Sequence, residues 1–136
     1  MKKLFILYLS ICFIMIACNQ KPAVPISNTL EIALDSNLTN YVELLNSSFK
    51  GDTLSLSEFL KIDYIYGAAS YDHGEIVLQV LEKLGDEKFN NTVLTLSNKQ
   101  QTNLKMYILT GMDRNDSLFN ASLSEKFKKT FLALDI

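Results

Sequence analysis

Apolar positions recur at helical spacing along most of this chain, and the densest stretch runs from Ser55 to Gly85. Ser55 and Glu58 have the spacing of a capping box, with Leu54 and Phe59 at the positions of a hydrophobic staple. Phe59, Leu60, Ile62, Ile65, Tyr66 and Ala69 would then cover more than half of a helix circumference, interrupted only by Asp63. A helix apolar on most sides belongs at the centre of a fold. Asp72 and Glu75 repeat the capping-box spacing and predict the start of a second helix. Ile76, Val77, Val80, Leu81 and Leu84 fall on one face of it, and Gln79, Glu82 and Lys83 on the other. Gly85 supplies the stop. The pattern therefore predicts a helical hairpin over residues 55–85, turned tightly before Asp72, with more apolar surface than the pair can bury. The other elements are expected to cover it.

Asn40 to Lys50 places Tyr41, Leu44, Leu45, Ser48 and Phe49 on one helical face, ended by Gly51-Asp52. Asp86 to Ser97 carries Phe89, Val93 and Leu96 at helical spacing, although Thr92 to Leu96 also suits a strand. Helix is preferred because a lone strand would have no partner. Ser97 and Gln100 form another capping box, opening a helix through Leu104, Tyr107 and Ile108 to Gly111. Met112 to Asn120 reads as a polar loop. A last helix carries Leu123, Phe127, Phe131 and Leu134, with Lys126, Lys128 and Lys129 opposite. Leu30 to Leu34 alternates and fits a strand or a helical turn; a short helix or irregular lead-in is preferred. The sum is an all-α fold of about six short antiparallel helices, in a small bundle or a stack of helical hairpins. Leu60, Lys61 and Gly67 recur in register as Leu104, Lys105 and Gly111, a spacing close to that of HEAT-like helical pairs.

The run Ile65-Tyr66-Gly67-Ala68-Ala69, then Asp72-His73, Glu75-Ile76-Val77, Val80-Leu81 and Asp86 resembles a single ankyrin repeat. The resemblance implies two helices with a turn at Asp72-His73. Asp63-Tyr64 stands where that family has Thr-Pro, and no second copy follows at the ankyrin period. The likeness supports one helical hairpin, not an ankyrin array.

The chain opens with Met1-Lys2-Lys3 and a nearly unbroken apolar run from Leu4 to Ala17. The run is short for a membrane-spanning helix and suits the apolar region of an export signal. Its end, Met15-Ile16-Ala17-Cys18, resembles the lipobox of bacterial lipoproteins. That resemblance implies cleavage before Cys18, a diacylglycerol on its thiol and acylation of the new amino group. Several acyl chains anchor a protein stably in a bilayer. Asn19 after the cysteine implies, by the same resemblance, the outer membrane or the periplasmic face in preference to the inner membrane. The expected organisation is a signal peptide over 1–17, a lipidated cysteine and flexible tether over 18–29 containing Pro22 and Pro25, and one helical domain over 30–136.

Removing 1–17 takes Lys2 and Lys3 with it. The 13 basic side chains become 11 against 15 acidic ones, a formal charge of −4. An acidic body without a basic run argues against nucleic acid as a partner. Cys12 leaves with the signal and Cys18 carries lipid, so the body has no thiol for a disulfide, a nucleophile or a metal.

Tyr64, Tyr66, Tyr71, Asp72, His73 and Glu75 form the one cluster with chemical potential. His73 is the only histidine, so any imidazole base must use it. The simpler expectation is that Asp72 caps a helix, Glu75 closes the box and His73 lies in the exposed first turn. The three tyrosines are then core residues or, if they emerge together, a recognition patch. No cofactor or metal is expected. The function expected first is a non-enzymatic, lipid-anchored module binding an unknown protein or peptide in the bacterial envelope, with an immunity or inhibitor protein as its sharper form. Two rivals stand beside it: an envelope hydrolase using Asp72, His73 and Glu75, and a structural subunit of an envelope assembly.

Overall fold

A computed structural model describes residues 21–136, Tyr64 and Asp116 excepted. The expected signal peptide, Cys18 and Tyr64 lie outside the described residues. The chain is all-helical there. In order come α1 (Asn28–Leu34), a 3-10 turn (Asp35–Asn37), α2 (Leu38–Phe49), α3 (Thr53–Leu60), α4 (Ala68–Leu84), α5 (Asp86–Val93), α6 (Asn98–Met112), α7 (Ser117–Lys126) and α8 (Lys128–Ala133).

Local signals account for most of these helices. Ser27 caps α1 by accepting from the Leu30 N–H, and Leu30 and Leu34, one turn apart, are both fully buried. That spacing decides for helix over strand. In α5, Phe89, Thr92 and Val93 are buried together, so the β-branched run at 92–96 is helical at its start and then turns out at Leu94. Ser97 and Gln100 form both halves of the expected capping box at α6.

The tightest contact in the core is between α4 and α6, which pack on each other more extensively than any other pair. They meet at Gly74 and Gly111. A Cβ on Gly74 would lie 2.3 Å from the Tyr107 carbonyl oxygen and 2.7 Å from the Gly111 nitrogen. A Cβ on Gly111 would lie 2.6 Å from the Gly74 carbonyl carbon. Neither glycine has a positive φ, so both are needed for closeness and not for an unusual backbone. Around this crossing, α1, α2 and α5 also pack against α4, and α3 packs against α2 and α5.

The hairpin expected over 55–85 is not formed. α3 starts earlier and ends earlier than the pattern suggested. Its cap is Asp52, which accepts from the Ser55 N–H at 2.7 Å, while Glu58 pairs with Lys61 instead of closing a box on Ser55. After Leu60 the described chain is irregular up to Gly67, yet Ile62 and Ile65 are still buried from it. Gly67, at φ 63°, then turns the chain into α4. α4 runs without a break through Asp72 and His73, so the turn implied by the ankyrin-like resemblance is absent. Its buried residues Ala69, His73, Ile76, Val77 and Val80 form one helical stripe. The Leu60–Gly67 and Leu104–Gly111 segments, matched in sequence, are irregular in one case and helical in the other.

The C-terminal region also differs from expectation. A helix begins inside the anticipated loop, at Ser117, and the last helix divides at Phe127 into α7 and α8. Leu123, Phe127, Phe131 and Leu134 are all buried, as their spacing predicted. The Asp86 carboxylate accepts from the backbone N–H groups of Lys129 and Thr130 and ties α5 to α8. The described part of the expected tether is not free chain. Asn46 on α2 receives the Ala23 N–H at 2.6 Å and donates to the Lys21 carbonyl at 3.1 Å, and Val24 is buried.

Gly74→Ala should destabilise the fold by more than about 3 kcal/mol, because backbone lies on the far side of the new methyl and cannot rotate away. Gly67→Ala meets open space and should cost only the backbone strain of a conformation that glycine alone adopts readily, φ 63° and ψ −143°, about 1–3 kcal/mol. Urea unfolding of the two variants checks this. A Gly74→Ala loss no larger than the Gly67→Ala loss would contradict so close a crossing.

Candidate functional site

His73 points into the core from the middle of α4 and is 1 % exposed. Its ring sits among Tyr41 from α2, Phe59 from α3 and Tyr107 from α6, with centroids 5.6, 5.4 and 4.4 Å away. The Tyr107 ring meets it edge-on at 87°. Its Nδ1 is 2.9 Å from the Tyr41 hydroxyl. Burial pushes the imidazole down to about 3, so it is neutral in ordinary buffers. The expectation of an exposed, first-turn histidine is therefore corrected. The ring is a core side chain that supplies one hydrogen bond at the helix crossing.

Asp72 and Glu75 are on a different face of α4. The Asp72 carboxylate receives the Ser27 hydroxyl at 2.5 Å and the Arg114 guanidinium at 2.6 Å. The same Arg114 nitrogen reaches Glu75 at 3.2 Å, and the guanidinium lies 5.5 Å from the Tyr71 ring centre. Its hydrogen bond to Asp72, chiefly, raises the arginine further above its usual value. The expectation that Asp72 caps a helix and Glu75 closes the box is corrected, because both lie within α4, which begins after Gly67. They share one cation that fastens the chain beyond α6 back onto α4. Asp72 and Glu75 thus stand together, while His73 is turned away from them into the core.

Of the described tyrosines in the predicted cluster, Tyr71 is exposed with the Arg114 guanidinium over its ring, and Tyr66 is 78 % exposed. Tyr66 forms one wall of an open groove of about 230 Å³ between the irregular 63–67 segment and α6. Asp63, Asn103, Met106 and Thr110 line it as well. Met106 is exposed although apolar, at 59 %. Apart from Tyr66, sequence reasoning missed this place. Its one signal was that Asp63 interrupts an apolar run and Met106 falls off the apolar stripe of α6. Among the described residues, no group of three His, Cys, Asp or Glu side chains is placed to hold a metal ion, and no helix is long and apolar enough to cross a membrane.

Compared with protein-family models, with curated proteins and with solved structures, the chain has no match.

The buried imidazole gives stability a distinct pH dependence. Its folded value lies below the unfolded 6.5, so the unfolded chain binds the extra proton. The stabilisation is complete above pH 6.5 and is lost as pH falls towards 3, about 2 kcal/mol of it by pH 5. Two carboxylates act only in a lower window. Asp52 is held below 3.8 first by the Ser55 N–H. Asp86 is raised by burial, but the N–H groups of Thr130 and Lys129 outweigh this and hold it below 3.8 too. Denaturation at pH 7 and pH 5 should show the loss in the wild type and a much flatter response in His73→Leu. Equal wild-type stability at the two pH values would show that the ring is not buried neutral.

Proposed function

We propose that this chain is a lipid-anchored protein of the bacterial envelope that binds another protein or peptide without transforming it. The anchor rests on the lipobox-like Met15-Ile16-Ala17-Cys18 and the basic-apolar segment before it. The observation that carries the binding reading is the open groove at 63–67 and α6, where Tyr66 and Met106 stay exposed beside polar groups. Exposed aromatic and methionine side chains at a concave face are the composition of recognition surfaces. The rival hydrolase loses support from the placement of His73. Its Nδ1 is engaged by Tyr41 and its ring is enclosed by aromatics, so no proton can pass between it and a substrate at Asp72 or Glu75 without the core opening.

In this reading the export signal is removed, Cys18 carries the acyl chains, and the helical domain stands on the outer membrane or periplasmic face. An inhibitor of an envelope toxin is the sharper form of the same proposal, and a subunit of an envelope assembly is the alternative that shares its binding surface.

Two measurements test it. Growth with labelled palmitate should label the wild type in the membrane fraction, and Cys18→Ser should lose both label and membrane association. Affinity capture of the tagged lipoprotein from membranes of its own host should recover one protein in near-stoichiometric amount. A Met106→Lys variant with an unchanged melting temperature should lose most of it. A partner retained in full by Met106→Lys would move the binding surface elsewhere, and no partner at all would contradict the reading.

A further inference from the structure

Resting on the binding-module reading above, we infer that the 63–67/α6 groove takes an extended peptide segment carrying a lysine or arginine. Two features of the groove specify that occupant. The first is its charge. Asp63 is the only charged side chain among the described lining residues. Among the described residues it pairs with Lys99, at 3.8 Å, and that side chain is 81 % exposed. So loose a pair contributes little and yields readily to another cation. Tyr66 adds an exposed aromatic ring beside the carboxylate, and a ring face attracts a guanidinium or ammonium.

The second feature is the backbone. The 63–67 wall is neither helix nor strand where it is described. The N–H groups of Tyr66 and Gly67, both exposed, have no acceptor among the described residues. The Ile65 carbonyl is taken by the Tyr107 hydroxyl at 3.4 Å, which holds the wall against α6 while its N–H groups remain available. Opposite, Asn103 is half-buried and its amide makes no hydrogen bond to a described residue. A peptide laid along the groove in extended form can use these groups through its own main chain. Main-chain pairing supplies affinity in such complexes, and pockets for alternate side chains supply choice. Here Met106 offers an apolar contact and Asp63 with Tyr66 a cationic one.

The test is to pan a phage-displayed random peptide library against the full-length lipoprotein in detergent micelles. Enriched sequences should carry a lysine or arginine. The affinity of the consensus peptide should fall about tenfold in Asp63→Asn and at least as far in Asp63→Lys, with melting temperatures unchanged. No enrichment, enrichment of acidic or purely apolar sequences, or an affinity unmoved by Asp63→Asn overturns the inference. A benzophenone photo-crosslinker placed at Tyr66, and separately at Leu132 on α8, separates this from the broader reading in host membranes. Capture through Tyr66 of a protein whose cross-linked segment carries a lysine or arginine supports the groove, and a cross-linked segment without either overturns the inference. Capture through Leu132 alone keeps the binding module and overturns the groove, and capture through neither overturns both.

Discussion

The fold depends on two backbones being allowed to touch. Gly74 and Gly111 bring α4 and α6 closer than any side chain would permit, and what lies beside that contact follows from it. Tyr107, one turn before Gly111, is placed edge-on against His73, which precedes Gly74. Tyr41 and Phe59 close the same ring from α2 and α3. Four helices thus converge on one imidazole. An unpaired polar group at such a place is costly, and the Tyr41 hydroxyl supplies the partner.

This arrangement redirects the search for function. A lone histidine flanked by Asp72 and Glu75 invites a catalytic reading, but its ring leaves α4 in a different direction from the two carboxylates. The carboxylates hold Arg114 at the surface, and the imidazole stabilises the interior. The proposed partner is therefore sought on the surface. The face proposed is the irregular segment between α3 and α4, which sends Ile62 and Ile65 inward and leaves Tyr66 outside beside α6. A segment that gives Ile62 and Ile65 to the core, and whose Tyr66 and Gly67 N–H groups have no acceptor among the described residues, is a wall suited to the proposed peptide.

Much of the helix content was legible in the sequence, because caps and apolar stripes are local. Ser97 with Gln100, and Tyr41 with Leu45, behave as their spacing predicts. The 55–85 stretch misled for a definite reason. Asp72 and Glu75 have the spacing of a capping box, and the ankyrin-like resemblance implied a turn at Asp72-His73. Yet Ala69, His73, Ile76, Val77 and Val80 keep one helical stripe straight through that point. Weighing the stripe above the box would have found α4 and placed His73 inside. The end of α3 at Leu60 was not legible, since Ile62, Ile65 and Tyr66 continue the helical spacing, and the burial of Ile62 and Ile65 from irregular chain is a matter of tertiary packing. The groove was hidden for the same reason: it lies between segments far apart in the chain, and local spacing carries no information about that. The pairing of α5 with α8 through Asp86 was equally out of reach.

The central claim is that the chain's one imidazole belongs to the core and that function lies on the surface around it. Because His73 is the only histidine, its ring signals in an NMR titration are unambiguous. The account predicts imidazole shifts that stay constant from pH 8 down to pH 5 in the folded protein, consistent with a value pushed down to about 3. A titration midpoint near the ordinary 6.5 in the folded state would place the ring in contact with water, and the catalytic reading of Asp72, His73 and Glu75 would return.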